Sequence, residues 1–295
     1  MHNNNNEKTK TASALVPGAH LILFGAQLAI GSAAIFARYA LQGAGPLMVS
    51  AMRLTIASVI TLILFFRLKD RIAVSKQHEL LFAVCGLALS VHFGTWMASL
   101  NFTSVAIATL FVSTAPIWTA LYDVLVLKQK PPVLFWLGFI AAAIGSILIV
   151  TNNGVDTVSG SVMHNDLLGE ILSATGGLAF ACYLIAIRSV SDTYPTLVVV
   201  SRTYTWSAVA LWVGALAMHE GLPAADGKCW FGILGMSLVS QMLGHTGMNV
   251  SLKNFTSSVV ALSTLLEPVF AAILAVPMFG ETLSFQMIAG SVVLL

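Results

Sequence analysis

The chain has 295 residues, of which 57% are hydrophobic and 9% charged, with a formal net charge of +2. Soluble domains carry about 25% charged residues, and a chain this poor in charge cannot cover a water-facing surface. Composition therefore excludes a soluble protein, and the absence of basic clusters interleaved with aromatics excludes nucleic acid as a partner.

A membrane helix needs about 20 mostly apolar residues to cross roughly 30 Å of hydrocarbon. After a polar, lysine-bearing tail over residues 1–17, that template predicts spans near 18–41, 46–66, 79–101, 104–127 and 133–151. A linker over 152–166 precedes a second set near 167–187, 195–218, 229–252, 256–279 and from 284 onward. The first apolar run is too long for a signal h-region and reads as a retained helix. The breaks carry turn and cap chemistry: Gly43 to Pro46, Thr103-Ser104, Pro131-Pro132 and Gly280-Glu281. In Asn101-Phe102-Thr103-Ser104 a hydroxyl can cap the next helix. This segment also fits a glycosylation sequon, but its copy at Asn254 would face the cytoplasm, so it reads as a turn. From Phe285 onward eleven residues remain (295 − 284). That is about 17 Å of helix at 1.5 Å per residue, so the tenth helix is expected to continue beyond Leu295. Cys85 and Cys182 read as small core hydrophobes.

The chain says the same thing twice. His92-Phe-Gly94 runs on to Asn101-Phe-Thr-Ser104, and His245-Thr-Gly247 to Asn254-Phe-Thr-Ser257, both offset by 153 (245 − 92; 254 − 101). Pro46 and Arg53 recur as Pro195 and Arg202 at 149, and Pro116 and Gly138 as Pro268 and Gly290 at 152. This is a tandem duplication of about 150 residues. Five spans per copy is odd, so the second copy enters the membrane the other way up. The predicted fold is an all-α membrane protein of ten transmembrane helices in two inverted five-helix repeats, 18–151 and 167–295. With the N-terminus cytoplasmic, the inner segments carry ten Lys and Arg residues and the outer ones Lys228 alone. That asymmetry satisfies the positive-inside rule.

Ionisable residues at mid-membrane depth are functional hypotheses by default. His92 and His245 occupy equivalent places, each with a neighbour four residues on: Trp96 after His92, Asn249 after His245. They are expected either to bind substrate or to tie two helices together through one hydrogen bond. Glu267, in the ninth span, is the candidate for proton coupling. Pro268 beside it should kink the helix and free the carbonyl of Thr264, while Pro116 kinks the fourth span without an acid. Arg53 and Arg202 could grip an anionic group or snorkel to the nearer interface. Trp118 and Tyr122 share a face just past Pro116 and could line a pocket for a flat molecule. Asp123 should pair with Lys128 and Lys130. No H-E-x-x-H site and no Walker loop is present, so no metal or cofactor is expected.

These residues resemble the drug/metabolite transporter superfamily, of the EamA type. The likeness rests on Phe24-Gly25, Pro46 with Arg53, Tyr194-Pro195 with Arg202, Leu266 to Phe270, Gly280-Glu281 and Gly290. It departs at Lys128-Gln129-Lys130, where the family often has a Gly-Glu-like pair, and Glu281 is read as a helix-end residue. The resemblance implies a ten-helix carrier with a central cavity between the third, fourth, eighth and ninth helices, using alternating access, often with proton exchange. The expectation is therefore a bacterial inner-membrane secondary transporter exporting a small metabolite, such as an amino acid or an amphipathic organic compound. An importer on the same fold, a channel, a membrane enzyme and a non-transport scaffold are the rival readings. Substrate identity, transport direction, coupling ion and oligomeric state are not legible.

Overall fold

The computed structural model describes residues 18–68, 72–150, 166–279 and 284–294. The N-terminal tail, nearly all of the 152–166 linker and Glu281 lie outside the described residues. In chain order the helices are α1 (Ala19–Gly31), α2 (Ala33–Ala40), α3 (Pro46–Phe66), α4 (Lys76–Ser99), α5 (Val105–Val112), α6 (Ala115–Leu125) and α7 (Val133–Val150). There follow α8 (Asp166–Ser191), α9 (Thr196–Ala217) and α10 (Gly227–Gly235), then a π-helical run over Met236–His245 that leads into α11 (Thr246–Ser251). Next come α12 (Ser257–Ser263), a 3₁₀ turn over Thr264–Leu266, α13 (Glu267–Phe279) and α14 (Phe285–Leu294).

Six helical runs among the described residues are long and apolar enough to cross a membrane: Ala19–Ala40, Pro46–Phe66, Lys76–Ser99, Ile107–Leu125, Leu167–Ser191 and Ser257–Met278. The outward faces of the helices are apolar, with Leu80, Val84, Leu137, Val213 and Leu243 all exposed. Polar side chains such as Arg53, Gln27, Gln241, His92 and Glu267 are buried instead. Apolar outside and polar inside is the arrangement that lipid demands of a multi-pass protein.

The helix starts follow local chemistry. Ser75, Ser104, Asp226 and Thr256 each accept a hydrogen bond from the backbone N–H three residues on. The two copies of the Asn-Phe-Thr-Ser turn cap differently: Ser104 serves the first, Thr256 the second, one register apart (256 − 153 = 103). Pro46 opens α3, where its missing N–H costs nothing. The next two donors, the N–H groups of Leu47 and Met48, reach the Glu220 carboxylate at 3.3 and 2.7 Å. A carboxylate there also meets the positive end of the helix dipole.

In the interior, α3 packs along α9, and α4 along both α8 and α9. Small residues permit the closest approaches. A Cβ on Gly177 of α8 would lie 2.7 Å from both the Val112 carbonyl oxygen and Thr114 Oγ1, so α8 sits directly against the junction of α5 and α6. Outside this core α10 lies on α2, and α14 on α7.

Candidate functional site

Four helical runs are interrupted inside the bundle, at Ser32 between α1 and α2, at Ser113-Thr114 between α5 and α6, along the π-helical run, and at the 3₁₀ turn before Glu267. Irregular backbone at membrane depth is tolerated where it is buried in protein or lines a cavity, and π segments frequently mark functional positions. All four interruptions meet at one narrow cavity, with about 430 Å³ of empty space within and just outside its walls. Ile30 and Ala33 flank the first break, Val112 and Ser113 stand at the second, His245 and Met248 lie at the end of the π run, and Thr264 and Glu267 come from the fourth. Arg53 from α3, His92, Phe93 and Trp96 from α4, and Phe180 from α8 complete the lining.

One wall is aromatic. The His92 ring stacks on Phe180 with centroids 4.6 Å apart, and lies 6.1 Å from the ring of His245. Phe93 meets His245 edge-on at 4.9 Å. Nδ1 of His92 is 3.0 Å from the Gly176 carbonyl oxygen. A carbonyl only accepts, so Nδ1 carries the proton and Nε2 keeps a free lone pair. His92 thus ties α4 to α8 and lines the cavity at once.

The opposite character comes from Arg53, which is 1% exposed. Its Nε donates to Gln241 Oε1 at 2.9 Å, and its guanidinium lies 4.1 Å above the centre of the Phe93 ring. Among the described residues no carboxylate is in ion-pair contact with it. Glu267, also buried, opens α13 just after the 3₁₀ turn.

The structure brings together His92, Trp96, His245, Glu267 and Arg53 around the cavity. Asn249 is one layer out: Tyr183 Oη donates to its Oδ1 at 2.8 Å, and its amide donates to the carbonyl of His245. Trp118 and Tyr122 do not line the cavity. Trp118 is exposed on α6, because the break at Ser113-Thr114 turns that face outward. Arg202 is also outside, its Nε 3.8 Å from Glu79 and its guanidinium 5.5 Å from the centre of Phe65.

Several local expectations need correction. Arg53 does not snorkel; it is held inward by Gln241 and Phe93. Pro268 does not leave the Thr264 carbonyl open, since the N–H of Glu267 takes it in the 3₁₀ turn. The Asp123 carboxylate accepts from Ser258 Oγ, which joins α6 to α12, rather than pairing with lysine. Cys85 is buried, but Cys182 is exposed on α8.

Sequence reasoning passed over Ser113, Phe180 and Gln241. Gln241 was within reach, being a polar residue four before His245 on the same helical face. Its repeat counterpart is Ala88 (241 − 153 = 88), so comparing the copies could not flag it. Phe180 carries no signal that separates it from a core aromatic.

Comparison with known proteins supplies the wider setting. The sequence profile of the EamA-like transporter family matches residues 17–151 and again 167–295. An uncharacterized transporter of Bacillus subtilis (strain 168), YyaM, is 23% identical over 283 residues, 94% of this chain and 91% of that one. Another, from Clostridium kluyveri, is 21% identical over 214 residues, covering 71% of this chain and 68% of its own. A solved crystal structure superposes with a TM-score of 0.77 over 94% of both chains at 14% identity, a likeness of fold alone. With a multi-pass apolar bundle and a profile match over nearly its whole length, the chain belongs to the EamA-like transporter family, a family of membrane transporters.

Proposed function

We propose that the chain is a ten-helix secondary transporter of the bacterial inner membrane that exports a small metabolite, an amino acid or an amphipathic organic compound, by alternating access. In this reading the N-terminal tail over 1–17 is cytoplasmic. Residues 18–151 and 167–295 are two inverted repeats, and 152–166 is the outer linker. The observation that carries it is the cavity itself. Equivalent histidines from the two copies, His92 and His245, face one another across it at 6.1 Å, and broken helices from both copies form its walls. Rocking one repeat against the other would expose such a site to each side in turn. Glu267 is the group that exchanges protons with substrate, because a carboxyl at this depth must be protonated or paired. Arg53, His92 and His245 share the cavity with it.

The test is growth of a host expressing the chain on toxic amino-acid, amine and nucleoside analogues, with Glu267→Gln beside it. Export predicts protection by the wild type and loss of that protection in the variant. Sensitisation would reverse the direction, and unchanged protection at every external pH would remove Glu267 from the coupling.

A further inference from the structure

Among the described residues, three that line the cavity carry a buried polar atom with no hydrogen-bond partner: Nη2 of Arg53, Nε1 of Trp96 and Oγ of Ser113. These residues are 1%, 4% and 3% exposed. A buried donor without a partner costs about 1–3 kcal/mol, more when charged, so such groups are rare in folded proteins. Of nine such atoms among the described residues, three belong to residues that line this one cavity. Two of them, the arginine and the indole, can only donate, and the third can.

Their surroundings are arranged to keep them available. Gln241 takes the Nε of Arg53 and the Phe93 ring covers its face, which fixes the plane of the guanidinium and leaves Nη2 unsatisfied. Trp96 is one turn beyond His92 on α4, on the same helical face. Ser113 stands at the break between α5 and α6. A planar guanidinium with Nη2 unpartnered, supported by further neutral donors, matches the planar, acceptor-only carboxylate. An organic cation or an amine offers these atoms nothing.

We propose that Arg53, Trp96 and Ser113 form a carboxylate subsite, so that the transported molecules carry a carboxylate, with the flat or apolar remainder lying against His92 and Phe180. This deepens the transport reading above and rests on it. Glu267 does not contradict it. Protonated, its carboxyl adds a donor; ionised, it serves an amine on the same substrate.

The experiment uses the full chain purified in detergent, with calorimetric titration of three probes of one shape: benzoate, benzamide and benzamidinium. Acetate and acetamide repeat the comparison without the ring. The carboxylates are expected to bind at least about tenfold more tightly than their neutral or cationic counterparts, the equivalent of roughly 1.4 kcal/mol. Arg53→Lys, which keeps the charge and loses the fork, should weaken carboxylate binding by about tenfold or more. Trp96→Phe, which keeps the ring and loses the N–H, should weaken it by roughly three- to tenfold. Glu267→Gln should bind benzoate at least as tightly as the wild type. The wild-type selectivity stands without any variant, so a misfolded Arg53→Lys leaves the proposal testable.

Amide or amidinium probes binding as tightly as carboxylates would overturn the proposal, as would carboxylate binding indifferent to both Arg53→Lys and Trp96→Phe. If none of the probes binds while the chain transports a compound without a carboxylate, the subsite fails and the transport reading stands. If none binds and nothing on the growth panel is transported, the cavity is not a substrate site and both readings fall.

Discussion

Arg53 and Arg202, which stand at a common offset of 149 with Pro46 and Pro195, lie in two different settings. One is 1% exposed beneath Phe93 with Gln241 on its Nε; the other is partly exposed beside Glu79. On the proposed repeat, the side chain is kept while its neighbours differ, as a site for an asymmetric molecule requires. The histidines show the same divergence. His92 donates to the carbonyl of Gly176, whereas the ring of His245 lies among the rings of His92, Phe93 and Phe180 and makes no hydrogen bond among the described residues. His92→Phe keeps the stack on Phe180 but removes the side-chain hydrogen bond that the Gly176 carbonyl accepts in addition to the ladder of α8, and should cost about 0.5–1.5 kcal/mol. His245→Phe should change stability less. Thermal unfolding of the two purified variants checks the order, and equal losses would mean that the Gly176 bond carries no special weight.

At the scale of elements, the organising feature is that four helices break where they reach the cavity. Two of the breaks could be read from Pro116 and Pro268. The other two could not, since neither the Ser32 junction nor the π run over Met236–His245 has a proline or any unusual composition; tertiary packing decides them. The glycines divide in the same way. Gly138 and Gly290 recur between the copies and are easy to notice, yet the nearest atom to a Cβ on Gly138 would be 4.0 Å away. Gly177, unremarked in the sequence, would place a Cβ 2.7 Å from the Val112 carbonyl oxygen at the α5–α6 break. Gly177→Ala is therefore expected to destabilise by about 1–3 kcal/mol. Gly138→Ala should be neutral or stabilising by up to about 1 kcal/mol. Melting of the two variants in detergent decides it, and a tolerated Gly177→Ala would show that α8 and the break can part freely.

For the whole molecule, composition was enough to place the chain in a membrane, because 9% charge leaves no other surface to make. The duplication and its motifs were enough to point to the family. The candidate site was legible only in part: Arg53, His92, Trp96, His245 and Glu267 stood out as polar or aromatic groups in apolar runs, and they do converge. Ser113, Phe180 and Gln241 did not, because what they do depends on which helices meet. Trp118 and Tyr122 misled because their spacing reports a shared face and not which way that face turns after a break.

The proposed carrier, in which two halves build one substrate site, is tested most directly by flux into liposomes reconstituted with the full chain. Radiolabelled compounds active in the growth panel should enter saturably, and the same compound loaded inside should accelerate their entry. Substitution of His92 or Glu267 should abolish both effects. Flux that rises linearly with concentration and ignores internal substrate, or that survives both substitutions, would contradict the account.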